Sequence, residues 1–197
     1  MATKPLRVLG IDPGLTRCGV GVVDVAANRS AVLVHVGVIR SSPDAPIAER
    51  LAAIAAGIRE VISSHSPHVV AVERVFAQQN RSTVMGTAQA SGIALLIAAE
   101  NGLPAALHTP TEVKAAVTGY GAADKRQVQT MVARVLRLDA LPQPADAADA
   151  LALALCHGWR GSAGAAAQAE TPALRAWRDA ERRSARGVRA PAARVAP

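Results

Sequence analysis

Four carboxylates stand where the apolar pattern of the chain does not want them. Asp12 closes the run "RVLGID", Glu73 closes "HVVAVE", and Asp146 and Asp149 lie three apart at the start of "ADAADALALAL". Residues three apart share one face of a helix. Singly, most have an ordinary reading: Asp12 before Pro13 and Gly14 suits a turn, and Asp146 suits a helix cap or first turn. Glu73 is harder to place that way. A buried strand rarely admits an ionised carboxylate unless it is paired or binds a metal, and neighbouring Arg74 points to the opposite face of the strand. If the first and fourth strands are adjacent, Asp12 and Glu73 meet at their carboxyl ends, where α/β sheets present ligands.

A cluster of four such groups needs cations, because like charges about 4 Å apart repel by several kcal/mol at intermediate dielectric. An all-oxygen donor set suits hard Mg²⁺ or Mn²⁺. Two such ions about 3.5 to 4 Å apart stabilise both the attacking and the leaving oxygen of an in-line displacement at phosphorus. The chemistry implied is hydrolysis of a phosphodiester by water.

The elements that must position these groups follow from apolar periodicity. "RVLGID", "CGVGVVDVA" and "AVLVHVGVIR", separated by the turn formers "PGLTR" and "ANRS", predict a three-stranded antiparallel meander. In "IAERLAAIAAGIREVISSH", Ile47, Leu51, Ile54, Ile58 and Ile62 recur at steps of three and four, which predicts an amphipathic helix ended by Ser66-Pro67. A buried strand through Glu73 follows. Next comes the helix "STVMGTAQASGIALLIAAENG", whose Gly86, Ala88, Ala90, Ser91, Gly92 and Ala94 permit close helix approach within or between subunits. "PAALHTP" predicts a short strand, "TEVKAAVTGYG" a short helix capped by Thr111, and "DKRQVQTMVARVLR" and "ADAADALALALCHGW" two more helices. Together they make a mixed α/β sheet of five strands with helices on both faces.

The formal net charge is +7, but residues 160–197 hold eight Arg against three acids, so the body carries about +2. Such a basic balance favours an anionic partner such as nucleic acid, with Arg- and Ala-rich genome composition as the alternative source of the charge. Residues 1–160 read as one nuclease-sized domain and 161–197 as an Ala- and Arg-rich basic tail, expected to be flexible. Cys18 and Cys156 lack metal-site spacing and read as small buried apolar groups. The start "MATKPLRVLGIDPG" enters a strand without a secretory core, and no apolar run reaches the length of a membrane span, so a cytoplasmic protein is expected. Phe76, the one phenylalanine, stands just past the end of the Glu73 strand. Burial is its ordinary fate, and stacking on or wedging between bases is the alternative where nucleic-acid stacks are opened.

In this order and spacing, "GIDPGLTRCG", "VAVERVF", "VKAAVTGYGAADKRQVQ" and "ADAADALALAL" closely resemble the RuvC family of bacterial Holliday-junction resolvases. The resemblance covers about Arg7 to Trp159. It implies a ribonuclease-H-like fold, a homodimer, paired metal-dependent nicking of four-way junction DNA during recombination and repair, and a RuvA and RuvB branch-migration partner. It also implies that Asp12, Glu73, Asp146 and Asp149 are the catalytic and metal-binding carboxylates, with Mg²⁺, or Mn²⁺ as a substitute, two ions per site. Some relatives carry His at the position of Asp146. The family's basic positions match Lys114 and Lys125, and Arg81 and Arg126 are neighbours able to add DNA phosphate contacts.

Two other readings stay open at this level. "GIDPG" also resembles the first phosphate-binding hairpin of actin-like sugar kinases and ATPases, which require a second lobe around a nucleotide cleft. A non-catalytic nucleic-acid module would leave the acids as caps and turns. Nicking of a labelled junction separates both from a nuclease.

Overall fold

The structure, a computed structural model, describes residues 4–75 and 81–164, with backbone alone for 81–83 and 161–164. Strand β1 (Leu6–Asp12) pairs antiparallel with β2 (Arg17–Val25), from Leu6 opposite Val25 to Asp12 opposite Gly19. Strand β3 (Ala31–Arg40) extends the meander on the far side of β2. After helix α1 (Ile47–His65), β4 (Val69–Glu73) returns parallel to β1, with Ile11 opposite Val72. Helix α2 (Arg81–Glu100) leads to β5 (Ala105–His108), parallel to β4, which places Glu73 opposite His108. The sheet order is β3-β2-β1-β4-β5. Helices α3 (Pro110–Thr118), α4 (Lys125–Leu136) and α5 (Ala145–Gly164) complete the described residues.

Alternation along the strands sorts side chains between two cores. Leu9, Ile11, Cys18, Val20 and Val22 pack with Ile54 and Ile58 of α1 and Ala90, Ala94 and Ile97 of α2. Val8, Val23, Val25, Val69 and Ala71 face the other way, onto α3, α4 and α5. Helices therefore cover both faces, as the periodicity requires. Both cysteines are free and fully buried, and burial pushes their thiols up, to about 12 for Cys18 and about 11 for Cys156. They act as apolar packing groups.

Helix α1 ends as its sequence predicts: Ser66 takes the left-handed conformation, φ 47°, and its N–H donates to the Ile62 carbonyl at 2.8 Å. The cap of α3 corrects the expected Thr111. Thr109 holds that position, accepting from the Glu112 N–H while the Glu112 carboxylate accepts from the Thr109 N–H. Pro110 decides it, because its fixed φ and missing N–H suit the first helical position and put the cap one residue earlier.

Candidate active site

Strand parity brings the first two carboxylates together. Asp12 lies an even number of residues from Val8, and Glu73 from Val69 and Ala71, so both project toward the face covered by α5. β1 and β4 are adjacent and parallel, and both residues stand at carboxyl ends. Their side chains share a hydrogen bond, which requires a proton between them. Burial, then the charges of Glu73 and Asp149, push the Asp12 carboxyl up to about 8. Burial also raises Glu73, against the lowering effects of the Asp12 hydrogen bond, Lys125 and Lys114. The direction is the same for both carboxyls.

Helix α5 delivers the other two because it lies unusually close to the sheet. A Cβ placed on Gly10 would sit 2.0 Å from the Ala150 carbonyl oxygen, and one on Gly19 would sit 2.0 Å from that of Asp146. Bare backbone on β1 and β2 thus seats the first turns of α5 over the ends of the strands. Ala147, Ala150 and Ala154 of the helix are fully buried against this surface.

Each helix carboxylate faces a cation. Lys125 Nζ is 3.1 Å from Asp149 Oδ2, and the attraction of Asp149 raises the lysine above its ordinary value. Lys125 opens α4, where the helix dipole disfavours a cation, and the Asp149 contact accounts for its placement. Arg17 Nε lies 3.0 Å from Asp146 Oδ2, yet that oxygen is buried and accepts no hydrogen bond, so the guanidinium N–H is not aligned with it. An orphaned, buried carboxylate oxygen beside three further carboxylates is a fitting ligand for a hard divalent cation. Among the described residues, no three His, Cys, Asp or Glu side chains are already closed around one ion-sized point. Instead, a shared proton, Lys125 and Arg17 balance the negative charge.

The other expected site residues divide by position. Lys114 acts electrostatically on Glu73 and so belongs to the cluster. Arg126, next to Lys125, lines a different pocket of about 470 Å³ with Tyr120, Gln127 and Thr130. Arg81 is the first residue of α2, and Phe76 lies outside the described residues. Arg17 was not expected from sequence, where it reads as the end of a turn; its one signal is that it follows Asp12 by five residues. One five-stranded sheet is present among the described residues, without the second lobe that a nucleotide cleft requires.

Comparison with known proteins identifies the family and the fold. Residues 8–157 match the family profile described as crossover junction endodeoxyribonuclease RuvC. A protein of that description from Leifsonia xyli subsp. xyli is 59% identical over 201 aligned positions, covering 94% of this chain and 97% of the relative. Another, from Clavibacter sepedonicus, is 67% identical over 168 positions, covering 85% and 82%. Thermus thermophilus RuvC in complex with Holliday junction substrate superposes with a TM-score of 0.77 at 39% identity, covering 81% of this chain and 96% of that one. The yeast mitochondrial Holliday junction resolvase Ydc2 shares the fold, with a TM-score of 0.59 at 13% identity.

Proposed function

This chain belongs to the RuvC family of crossover junction endodeoxyribonucleases, and we propose that it resolves four-way DNA junctions as a homodimer, each subunit hydrolysing one phosphodiester. Two-fold symmetry then relates the two cuts. The observation that carries this reading is the convergence of Asp12 and Glu73, on neighbouring strand ends, with Asp149 and Asp146 of the overlying helix.

Asp12, Glu73, Asp149 and Asp146 would hold the divalent cations, Mg²⁺ or Mn²⁺, two per site. When bound, they supply Lewis acidity at the phosphate and an acidified attacking water. The protein's part begins with a proton: the one shared by Asp12 and Glu73 must leave before both can act as ligands, so loading is favoured by rising pH. Lys125 leaves Asp149 and, with Lys114, turns its charge to the phosphate oxygens of the substrate. One of the two aspartates of α5 orients the attacking water.

Phe76 follows the Glu73 strand by three residues, a spacing that suits an aromatic stacking on or between bases next to the scissile phosphate. Arg81 and Arg126 add phosphate contacts, and the basic tail 161–197 adds non-specific DNA affinity beyond the nuclease domain. The exposed small residues of α2, Ala88 and Gly92, suit a helix–helix subunit interface, while Ala90 and Ser91 are buried within the subunit. A cytoplasmic location and delivery of junctions by a RuvA and RuvB complex complete the reading; no helix among the described residues is long and apolar enough to cross a membrane.

A labelled four-way junction incubated with Mg²⁺ tests it. Paired nicks at symmetric positions are expected, lost with EDTA, and at least tenfold slower on flaps and RNA/DNA hybrids. Equal cleavage of hybrids, or no nicks at any protein concentration, would overturn it.

A further inference from the structure

A second pocket, of about 380 Å³, opens beside Asp146 and is lined by the β1–β2 turn from Gly14 to Arg17, by Arg50, and by Gly86 and Thr87 of α2. Two guanidinium groups therefore flank one side of the carboxylate cluster. Arg50 is the unusual one. It stands in the first turn of α1, where a cation opposes the helix dipole, and it makes no ion pair among the described residues.

It is nonetheless held in place. Its Nε donates to Ser41 Oγ at 3.1 Å and its Nη2 to Thr16 Oγ1 at 2.7 Å. Ser41 is itself fixed, its hydroxyl donating to the Leu15 carbonyl and its N–H to that of Thr16 at 3.1 Å. The turn is equally constrained, since a Cβ on Gly86 would meet Leu15 side-chain atoms at 3.0 and 3.2 Å. A half-buried arginine without an ion pair normally keeps much of its rotamer freedom. Here two neutral hydroxyls orient the charge without neutralising it, leaving its remaining N–H groups for an anion.

We propose that this pocket seats a backbone phosphate of the DNA strand adjacent to the scissile phosphate, with Arg50 as the fixed anchor. Arg17 adds a second guanidinium, already committed in part to Asp146. The inference rests on junction DNA being the substrate. If the scissile phosphate lies over the four carboxylates, the next charge of the same strand falls beside Asp146, where positive charge is held ready. Guanidinium suits that role because its planar fork matches phosphate oxygens in pairs. Bound there, the strand is fixed in register without any reading of base sequence.

The test compares Arg50→Gln and Thr16→Val with the unaltered protein, measuring four-way-junction affinity in EDTA over a range of salt. Arg50→Gln is expected to weaken binding about tenfold at moderate salt and to reduce the slope of log K against log salt by about 1, the value for one phosphate contact. Thr16→Val keeps the charge but frees it, so a smaller loss, about threefold, with an unchanged slope is expected. An unaltered slope and affinity in Arg50→Gln would overturn the anchor. So would weaker binding with an unchanged slope together with a lowered thermal midpoint, which marks a structural role. Should Arg50→Gln not fold, Thr16→Val decides alone, and junction affinity equal to that of the unaltered protein overturns the proposal. Failure of the unaltered protein to prefer a junction over a linear duplex would instead count against the functional reading, so the two failures are distinguishable.

Discussion

Replacing Asp12 with Asn should abolish cleavage while making the metal-free protein more stable. The two effects have one cause. Asp12 is buried beside Glu73, Asp149 and Asp146, and its carboxyl is raised from the usual 3.8 to about 8. A folded-state value above the unfolded one means that folding holds a proton which the unfolded chain releases. The resulting penalty is absent below about pH 4, grows as pH rises between the two values, and is complete near pH 8. Asparagine removes it while keeping the shape and a hydrogen bond to Glu73. In EDTA, Asp12→Asn should therefore raise stability by about 1 to 3 kcal/mol at pH 8, discounted because the charge is shared with Glu73, and the gain should vanish toward pH 4. Urea unfolding of both proteins across pH 4 to 8 reads this directly.

The same substitution removes a metal ligand, and single-turnover cleavage should fall at least 10³-fold, about 4 kcal/mol of transition-state stabilisation. Junction binding in EDTA should persist. A variant that is both inactive and less stable at pH 8 would show that Asp12 supports packing and not a strained cluster. Glu73→Gln should follow the same pattern, since burial raises Glu73 as well. Sites that must hold like charges together ready for a cation are commonly bought at the expense of stability in this way.

The strands and the covering helices were legible because each carries a clear apolar period, and Asp12 and Glu73 were legible as residues that meet at strand ends if the first and fourth strands are neighbours; the face they share came only with the packing of α5. Asp146 and Asp149 were legible as a helical pair, though not their height above the sheet. That height depends on Gly10, Gly19 and Gly21, and a glycine in a strand does not announce whether it serves a bulge, a turn or a close approach. The cap of α3 was misplaced by two residues because Thr109 and Thr111 flank Pro110, and only the helical role of the proline chooses between them. Arg17 and Arg50 escaped notice for a different reason. In sequence one ends a turn and the other is a charge off an apolar stripe, and their meeting beside Asp146 joins segments far apart in the chain.

Gly19→Ala should impair both stability and cleavage by a route that removes no chemical group. The added Cβ would lie 2.0 Å from the Asp146 carbonyl oxygen and 2.6 Å from its carbonyl carbon. Neither atom is the end of a flexible side chain. Ordinary contact begins at 3.4 Å, so β2 and the start of α5 would have to separate by about 1.4 Å (3.4 less 2.0). Overpacking against backbone costs about 3 kcal/mol, and a shift of about 1 Å in catalytic groups costs about 100-fold in rate. Gly10→Ala provides the comparison, because its Cβ would strike the Ala150 carbonyl oxygen at the same 2.0 Å, one turn along α5 from Asp146. Urea midpoints should fall alike in the two variants. Under conditions where both remain folded, Gly19→Ala should require the higher Mg²⁺ concentration for half-maximal cleavage, since it displaces Asp146 itself. Equal Mg²⁺ requirements would mean that α5 moves as a rigid unit, and wild-type stability in either variant would mean that the helix does not sit this close. If the difference appears, Gly19 positions a metal ligand through the side chain it lacks.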